Sequence, residues 1–345
     1  MAAEMGLLRL RFAAFCIAGL ALCLLALTLS VSIGSTRIPA GTVWAIVAHK
    51  LGLVPVTPDW TEGRQNIVWD LRLPRALLAA MVGAGLGMAG AVMQGVTRNP
   101  LADPHLLGVS AGAGFGANLA ILMVGNLLGV FTVPLFAFAG ALIATGLVVS
   151  VAGFTHSTGP TRLVLAGLAV SFVIAAGSNV LIMLADPRAI SSVVFWMLGG
   201  FGLAQWSNLI FPAAALLFSG AVFLACAQQL NALSMGDESA ATLGVNVRRL
   251  RLAMLTVSAL LTGVLVAFSG MIGFVGLMMP HIARLLIGGD NRRVLPTSAM
   301  LGAISLVLAD VAARRLIAPD DMPVGVVTGL VGGLFFIALL ARQRG

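Results

Sequence analysis

Leu163–Ala185 reads LVLAGLAVSFVIAAGSNVLIMLA, a run of 23 residues without Lys, Arg, Asp or Glu and without strand-like alternation. A bilayer core is crossed by about 20 apolar helical residues, so this run is long enough to span it. Lipid offers no partner to a backbone N–H or C=O, which leaves helices and closed barrels as spanning structures; the missing alternation selects the helix. The pattern repeats on both sides. No charged residue occurs from Pro104 to Thr161 or from Ala189 to Gly236.

The whole chain follows the same rule. Its 345 residues are 59% hydrophobic and 9% charged, with a mean hydropathy of +1.05, and the charge-free gaps recur from end to end. This composition predicts an all-α membrane protein with a single domain over 1–345. Bounded by Pro, charge and polar clusters, the apolar runs predict about ten spans, near 12–33, 73–96, 106–125, 133–153, 162–184, 207–228, 251–271, 275–288, 294–313 and 323–341. The run at 275–288 is short enough to be a partial span. Between spans, 189–201 carries Phe195, Trp196 and Met197 and predicts a short interfacial helix, since Trp favours the headgroup level. Arg9 and Arg11 precede the first run, which is longer than a cleavable signal core, so it is expected to be retained as the first span.

Net charge is +8, and Lys50 is the only lysine. The arginines sit in short runs between apolar segments rather than on one face with aromatic platforms, which argues against a nucleic-acid partner. With the N-terminus inside, Arg9, Arg11, Arg98, Arg162, Arg248, Arg249, Arg251, Arg284, Arg292, Arg293, Arg342 and Arg344 are cytoplasmic, twelve of the 20 basic residues. That bias predicts an even number of spans in an inner membrane, with both termini cytoplasmic.

Catalytic and cofactor signals are weak. Gly85-Leu86-Gly87-Met88-Ala89-Gly90 has the spacing of a dinucleotide fingerprint but lies inside a predicted span with no preceding strand. Gly83, Gly87 and Gly90, like Gly108, Gly112 and Gly116, are instead expected to let helix backbones approach closely. Lys50 is followed by Leu51, so no phosphate-cradling Gly-Lys-Ser/Thr is present, and any ATP and Mg used by the system belong to another subunit. Cys16, Cys23 and Cys226 lie in apolar runs, and His49, His105, His156 and His281 are scattered, so no metal or other cofactor is expected on this chain. Of the histidines, His281 stands out, three residues before Arg284, where it could cap or bond across helices.

Three features carry more. Asp310 lies within an apolar run, and an intramembrane carboxylate is a candidate functional group; Arg314, four residues on, can pair with it on one helix face. Arg72 and Arg75 bracket Pro74 at the mouth of the second span, as snorkelling anchors or as forks for a partner's carboxylates. The long internal loop 228–251 contains Gly236, Asp237, Glu238, Ala240, Ala241, Leu243, Gly244 and Val245, which predict two short helices joined at Gly244, the first with acidic residues in its opening turn. Such a loop would give a soluble partner something to push on.

Arg72-Leu73-Pro74-Arg75, Gly90-Ala91-Val92-Met93-Gln94-Gly95, Asn99-Pro100-Leu101-Ala102-Asp103-Pro104, Leu107-Gly108-Val109-Ser110, Gly273-Phe274-Val275-Gly276-Leu277 with Pro280-His281, Leu308-Ala309-Asp310 and Met322-Pro323-Val324-Gly325 follow one another in the chain. In this order they resemble the FecCD/BtuC-type permeases of type II ABC importers, which carry iron-siderophores, haem or cobalamin. The resemblance covers nearly everything from about residue 70. It implies a homodimer with ten helices per subunit and a central pathway, two separate ATP-binding-cassette ATPase subunits below, and a periplasmic substrate-binding protein above. By the same resemblance the loop from Gly236 to Val245 looks like the ATPase-coupling helices. Arg72, Arg75 and Arg314 look like receivers of the binding protein's acidic residues. Asn99 and Leu101, with Gly159, Pro160 and Thr161, are similar in position to cytoplasmic gate residues, and the spans at 106–125, 162–184 and 323–341 to pathway walls. One departure is visible in the last span, where Gly333-Leu334-Phe335-Phe336 lacks a proline frequent in the family and so loses its kink. The expected function is import of an iron chelate by alternating access. Cobalamin import by the same family, an ion-coupled carrier using Asp310, and an intramembrane enzyme using His281 and Asp310 are the competing expectations.

Overall fold

The computed structural model describes residues 2–34, 36–53, 58–154, 160–318 and 320–342. The described residues are helical and form no strand. Helix α1 (Ala2–Ser32) leads through α2 (Ala40–Lys50) and α3 (Glu62–Asn66), which passes by a π turn at Ile67–Arg72 into α4 (Leu73–Thr97). Then come α5 (Val109–Leu119), prolonged by a second π turn at Ala120–Val124, α6 (Thr132–Phe154), α7 (Pro160–Met183) and the short α8 (Pro187–Leu198). Helix α9 (Trp206–Ala225) is followed by the two short helices α10 (Ala227–Ser234) and α11 (Asp237–Thr242). The chain closes with α12 (Val247–Ser269), α13 (Val275–Ile287), α14 (Asn291–Leu316) and α15 (Val324–Arg342).

Among the described residues eight helices are long and apolar enough to cross a bilayer, and the shorter apolar helices Val109–Val124 and Val275–Ile287 fill the two remaining places in the predicted order of ten. Short polar side chains set several starts. Asp186 Oδ1 accepts from Arg188 N at 2.8 Å at the head of α8, Asn246 Oδ1 from Arg249 N at 3.0 Å at α12, and Asp290 Oδ1 from Arg292 N at 3.0 Å at α14. Each satisfies an N–H that the first helical turn leaves open. The interfacial helix predicted at 189–201 is α8, and α15 runs unbroken past Leu334, as the absent proline implies.

Helix α4 is the axis of the bundle. It packs against α9, α12, α13 and α14, and from Val82 to Thr97 nearly every residue is buried. Its glycines permit this. A Cβ on Gly83 would fall 2.1 Å from the Gly302 carbonyl oxygen of α14, and one on Gly87 2.3 Å from that of Ser298. On α5, a Cβ on Gly112 or Gly116 would meet the carbonyls of Gly140 or Phe136 in α6 at 2.2 and 2.0 Å. Lipid supplies no hydrophobic drive between helices, so such backbone approach is what holds them. By contrast α1, α7 and α15 leave most of their apolar surface uncovered, including Phe172, Val173, Leu334 and Ile337.

The stretch 34–70, the longest break between the predicted spans, is itself partly helical. It holds α2 and α3, and α2 packs with Val31, Ile38, Trp60, Val68 and Ala76 in a second apolar core that includes its own Val43 and Ile46. The helix that carries the second predicted span, 73–96, is continuous from Glu62 through the π turn.

Candidate functional site

At one end of the bundle, α10, α11 and the head of α12 form a compact helical elbow. Gly236 (φ +122) and Gly244 (φ +80) make its two corners. A side chain rarely adopts these backbone angles, which explains glycine at both. Ala240 is fully buried and fixes α11 against the protein, and Val245 N closes the turn on Ala240 O at 3.0 Å. The opposite face is exposed: Met235, Glu238, Ala241, Thr242, Leu243 and Gly244. Met235 and Leu243 are 72% and 65% exposed, a pair of apolar side chains presented outside the predicted spans.

Three polar links fasten this elbow. Asp237 accepts from Arg251 Nη2 of α12 at 3.0 and 3.1 Å and pairs with Arg98 Nη2 at the end of α4 at 3.1 Å. Asn231 of α10 donates to Asp290 at 2.7 Å and accepts from the backbone and side-chain nitrogens of Asn291 at 2.8 and 2.9 Å. Helices α4, α12 and α14 thus all meet the elbow. Beside Arg98 lies the turn that contains Asn99 and Leu101. Asn99 Oδ1 accepts from Leu101 N at 2.9 Å, and the Leu101 side chain points outward, 58% exposed. The partner gate segment is only partly described. Gly159 lies outside the described residues, and Pro160 and Thr161 are placed only as the backbone start of α7.

At the other end, Arg72, Arg75 and Arg314 are brought together around Asp310. The Asp310 carboxylate is wholly buried, taking Arg75 Nε on Oδ1 at 2.8 Å and Arg314 Nε on Oδ2 at 3.0 Å. Arg75 also reaches Asp321 at 2.6 Å. Arg314 donates to Ile33 O at 2.7 Å and to Ser30 O at 3.0 Å; Arg72 donates to Val31 O at 2.9 Å and Thr36 O at 2.6 Å. All three guanidiniums are therefore engaged within the chain, tying α1, α4 and α14. The i,i+4 pair expected of Asp310 and Arg314 is present, with Arg75 as a second cation that sequence spacing does not reveal.

The FecCD transport family model matches residues 22–342, nearly the whole chain. The chain belongs to the FecCD transport family. The haemin transport system permease protein HmuU of Yersinia pestis is 42% identical over 83% of this chain and 87% of its own length. The vitamin B12 import system permease protein BtuC of Citrobacter koseri is 40% identical over 83% of this chain and 86% of its own. A solved inward-facing metal-chelate type ABC transporter superposes with a TM-score of 0.81, at 30% identity, covering 96% of this chain and 99% of that one. This FecCD protein is accordingly a multi-pass membrane permease subunit of an ABC importer, the transport component rather than an enzyme.

Within this FecCD permease the histidines fall out differently from their sequence ranking. His281 Nε2 is buried without a hydrogen-bond partner, its ring 6.0 Å edge-on to Phe335, while Arg284 bonds Gln94 instead. Asp310 is bonded to Arg75 and Arg314, and no hydrogen bond among the described contacts joins it to His281, so the two form no acid–base pair there. His105 is the better connected. Its ring joins Ser110 and the Ile272 carbonyl, the latter at 3.0 Å, beside the buried Asp103. This cluster lines a cavity of about 280 Å³ with Met271, Gly273, Phe274 and Leu277. Gly276, next to Asp103, lies against Gly90, seven residues before the end of α4 and so about 10 Å inside it. The cluster is missed in the sequence because Asp103, His105 and Ile272 lie in connections with no periodic signature, and Ser110 and Leu277 only join them through packing. Arg98, Arg251 and Asn231 are missed for a related reason: each is an ordinary polar residue until its distant partner is placed.

Proposed function

We propose that this permease imports an iron chelate, haem or an iron-siderophore, across the bacterial inner membrane by alternating access. The observation that carries the reading is the elbow at 227–246, an exposed helical corner fastened to α4, α12 and α14. A soluble ATPase gripping its outer face would displace three helices of the bundle at once, which is the two-state device alternating access needs. In this reading the elbow end and both termini are cytoplasmic, and ATP and Mg reside on two ATPase partners. The permease works as a homodimer, for which the uncovered apolar faces of α7 and α15 supply surface. A periplasmic binding protein docks at the end that carries the Asp310 cluster, Arg75 being placed nearest to solvent at 15% side-chain exposure. Asn99 and Leu101 close the pathway on the cytoplasmic side, opposite the segment of Gly159, Pro160 and Thr161.

Identity to a haemin permease supports haem as cargo, and identity to a cobalamin permease is close behind, so cobalamin is the second reading. Proteoliposomes holding this chain with its ATPase and binding protein decide between them. ATP-dependent accumulation of haemin, without accumulation of cobalamin, is the expected outcome. The reverse pattern would assign the second cargo, and accumulation of none of haemin, a ferric hydroxamate or cobalamin would remove both readings. An ion-coupled mechanism through Asp310 is disfavoured by geometry. A carrier carboxylate must be open to proton exchange, whereas this one is wholly buried with each oxygen bonded to a guanidinium.

A further inference from the structure

We propose that the ionic clasp Arg98–Asp237–Arg251 transmits the movement of α11 to the gate turn, which makes Arg98 a positioning residue for transport. The inference rests on the ABC-permease reading and adds a specific contact to it. Arg98 closes α4 in the left-handed conformation, φ 52, one of only two non-glycine residues among those described that do so. Residues held in that region mark turns whose geometry is imposed by surroundings. At this turn Arg98 Nη2 meets Asp237 Oδ1 at 3.1 Å, and the Gly236 corner lies 3.7 Å from Arg98 Nη1 at its Cβ position. The very next residue is Asn99, whose side chain shapes the turn carrying Leu101.

The clasp has unequal arms. Arg251 is 4% exposed, its Nε has no hydrogen-bond partner, and both of its side-chain hydrogen bonds go to Asp237. Separating that pair would strand a buried charge, so Asp237 stays with α12. The Arg98 arm is open to solvent, 42% exposed on one side and 41% on the other, and exposed ion pairs are weak. A push on α11 therefore moves Asp237 together with α12 and makes or breaks its contact with Arg98, which repositions Asn99 and Leu101. The coupling elbow and the gate turn lie far apart in sequence yet share this one carboxylate.

The test uses the complex of this chain with its ATPase, with Cys16, Cys23 and Cys226 replaced by Ser and Leu101→Cys introduced as a reporter. The rate of Leu101→Cys modification by a membrane-impermeant maleimide is compared with and without vanadate-trapped nucleotide. In the parent the rate is expected to change on trapping. With Arg98→Gln the change should be lost and haemin carried per ATP hydrolysed should fall about tenfold, the scale of a typical coupling between sites. Arg98→Lys, which keeps the charge, should retain most of both. Asp237→Asn should reduce the ratio likewise, and the double variant should fall no further than either single. An unaltered reporter response in Arg98→Gln, equal loss in Arg98→Lys, or a double loss equal to the product of the singles would overturn the clasp. If Asp237→Asn does not assemble, the Gln and Lys variants at Arg98 decide alone. A parent complex that shows no nucleotide response and no haemin uptake would instead defeat the proposed function, its cargo and its alternating access, on which the clasp rests.

Discussion

Asp310 has the burial of a core residue and the charge of a surface one. Two guanidiniums resolve that conflict, and each of them has further oxygens to bond, so the cluster holds α1, α4 and α14 at a single point. Replacing Asp310 with Asn keeps the shape and removes the charge that both arginines face. Breaking a buried pair from one side costs about 3–5 kcal/mol, because the cations remain. Asp310→Asn should therefore lower the thermal midpoint of the detergent-solubilised protein sharply. Asp321→Asn, on a carboxylate 43% exposed, should cost about 1 kcal/mol or less. Equal midpoints for the two variants would show that the cluster does not hold the helices. Half of this cluster is legible in the sequence. Asp310 and Arg314 share a helix face, so spacing pairs them, whereas Arg75 lies 235 residues away and only helix packing brings it in.

Elements were easier to read than residues, because hydropathy and charge-free length act on whole segments while contacts act between them. The spans, the interfacial helix and the acidic opening turn of α11 follow from composition and from breaks at Gly, Pro and charge. The second short helix expected after Gly244 is instead the head of the long α12, and the short partner of α11 is α10, before Gly236. The helices within 34–70 do not follow from composition, since a small core under a polar surface leaves a mixed pattern with no clear period. The spacing of the glycines on α4 was also readable, and it leads to a contrast between two substitutions. Gly83→Val would drive a side chain into the backbone of α14, where a Cβ alone already falls 2.1 Å from Gly302 O. Overpacking of this kind costs about 1–3 kcal/mol or more, and the yield of folded protein after membrane extraction should drop. Gly244→Val meets no atom within 4 Å but requires φ near +80, which strains the corner without crowding it. That variant should insert and extract normally yet hydrolyse ATP with little cargo moved. Normal transport by Gly244→Val would remove the elbow from the mechanism, and normal folding of Gly83→Val would remove close backbone contact from the account of α4.

At the scale of the molecule, nothing in the bundle resembles a motor. The described residues hold no cluster of His, Cys, Asp or Glu fit for a metal, and the sequence has no phosphate loop. Asp310, the carboxylate a coupling proton would need in the competing reading, is already bonded to two arginines at one end of the bundle. What remains is a set of helices packed backbone to backbone around α4, linked at the other end to a corner that a soluble partner can reach. A stiff bundle of this kind transmits displacement well, since close-packed cores shift between discrete arrangements rather than deforming. In the proposed mechanism the displacement is supplied by the ATPase at that corner. Vesicles containing only this chain should thus accumulate no haemin under a proton gradient of either sign, and adding the ATPase with ATP and the binding protein should start uptake. Adding a non-hydrolysable ATP analogue in place of ATP should stop it after a single turnover at most. Gradient-driven uptake by the chain alone, abolished by Asp310→Asn, would reverse the assignment of that carboxylate and with it the direction in which force enters the molecule.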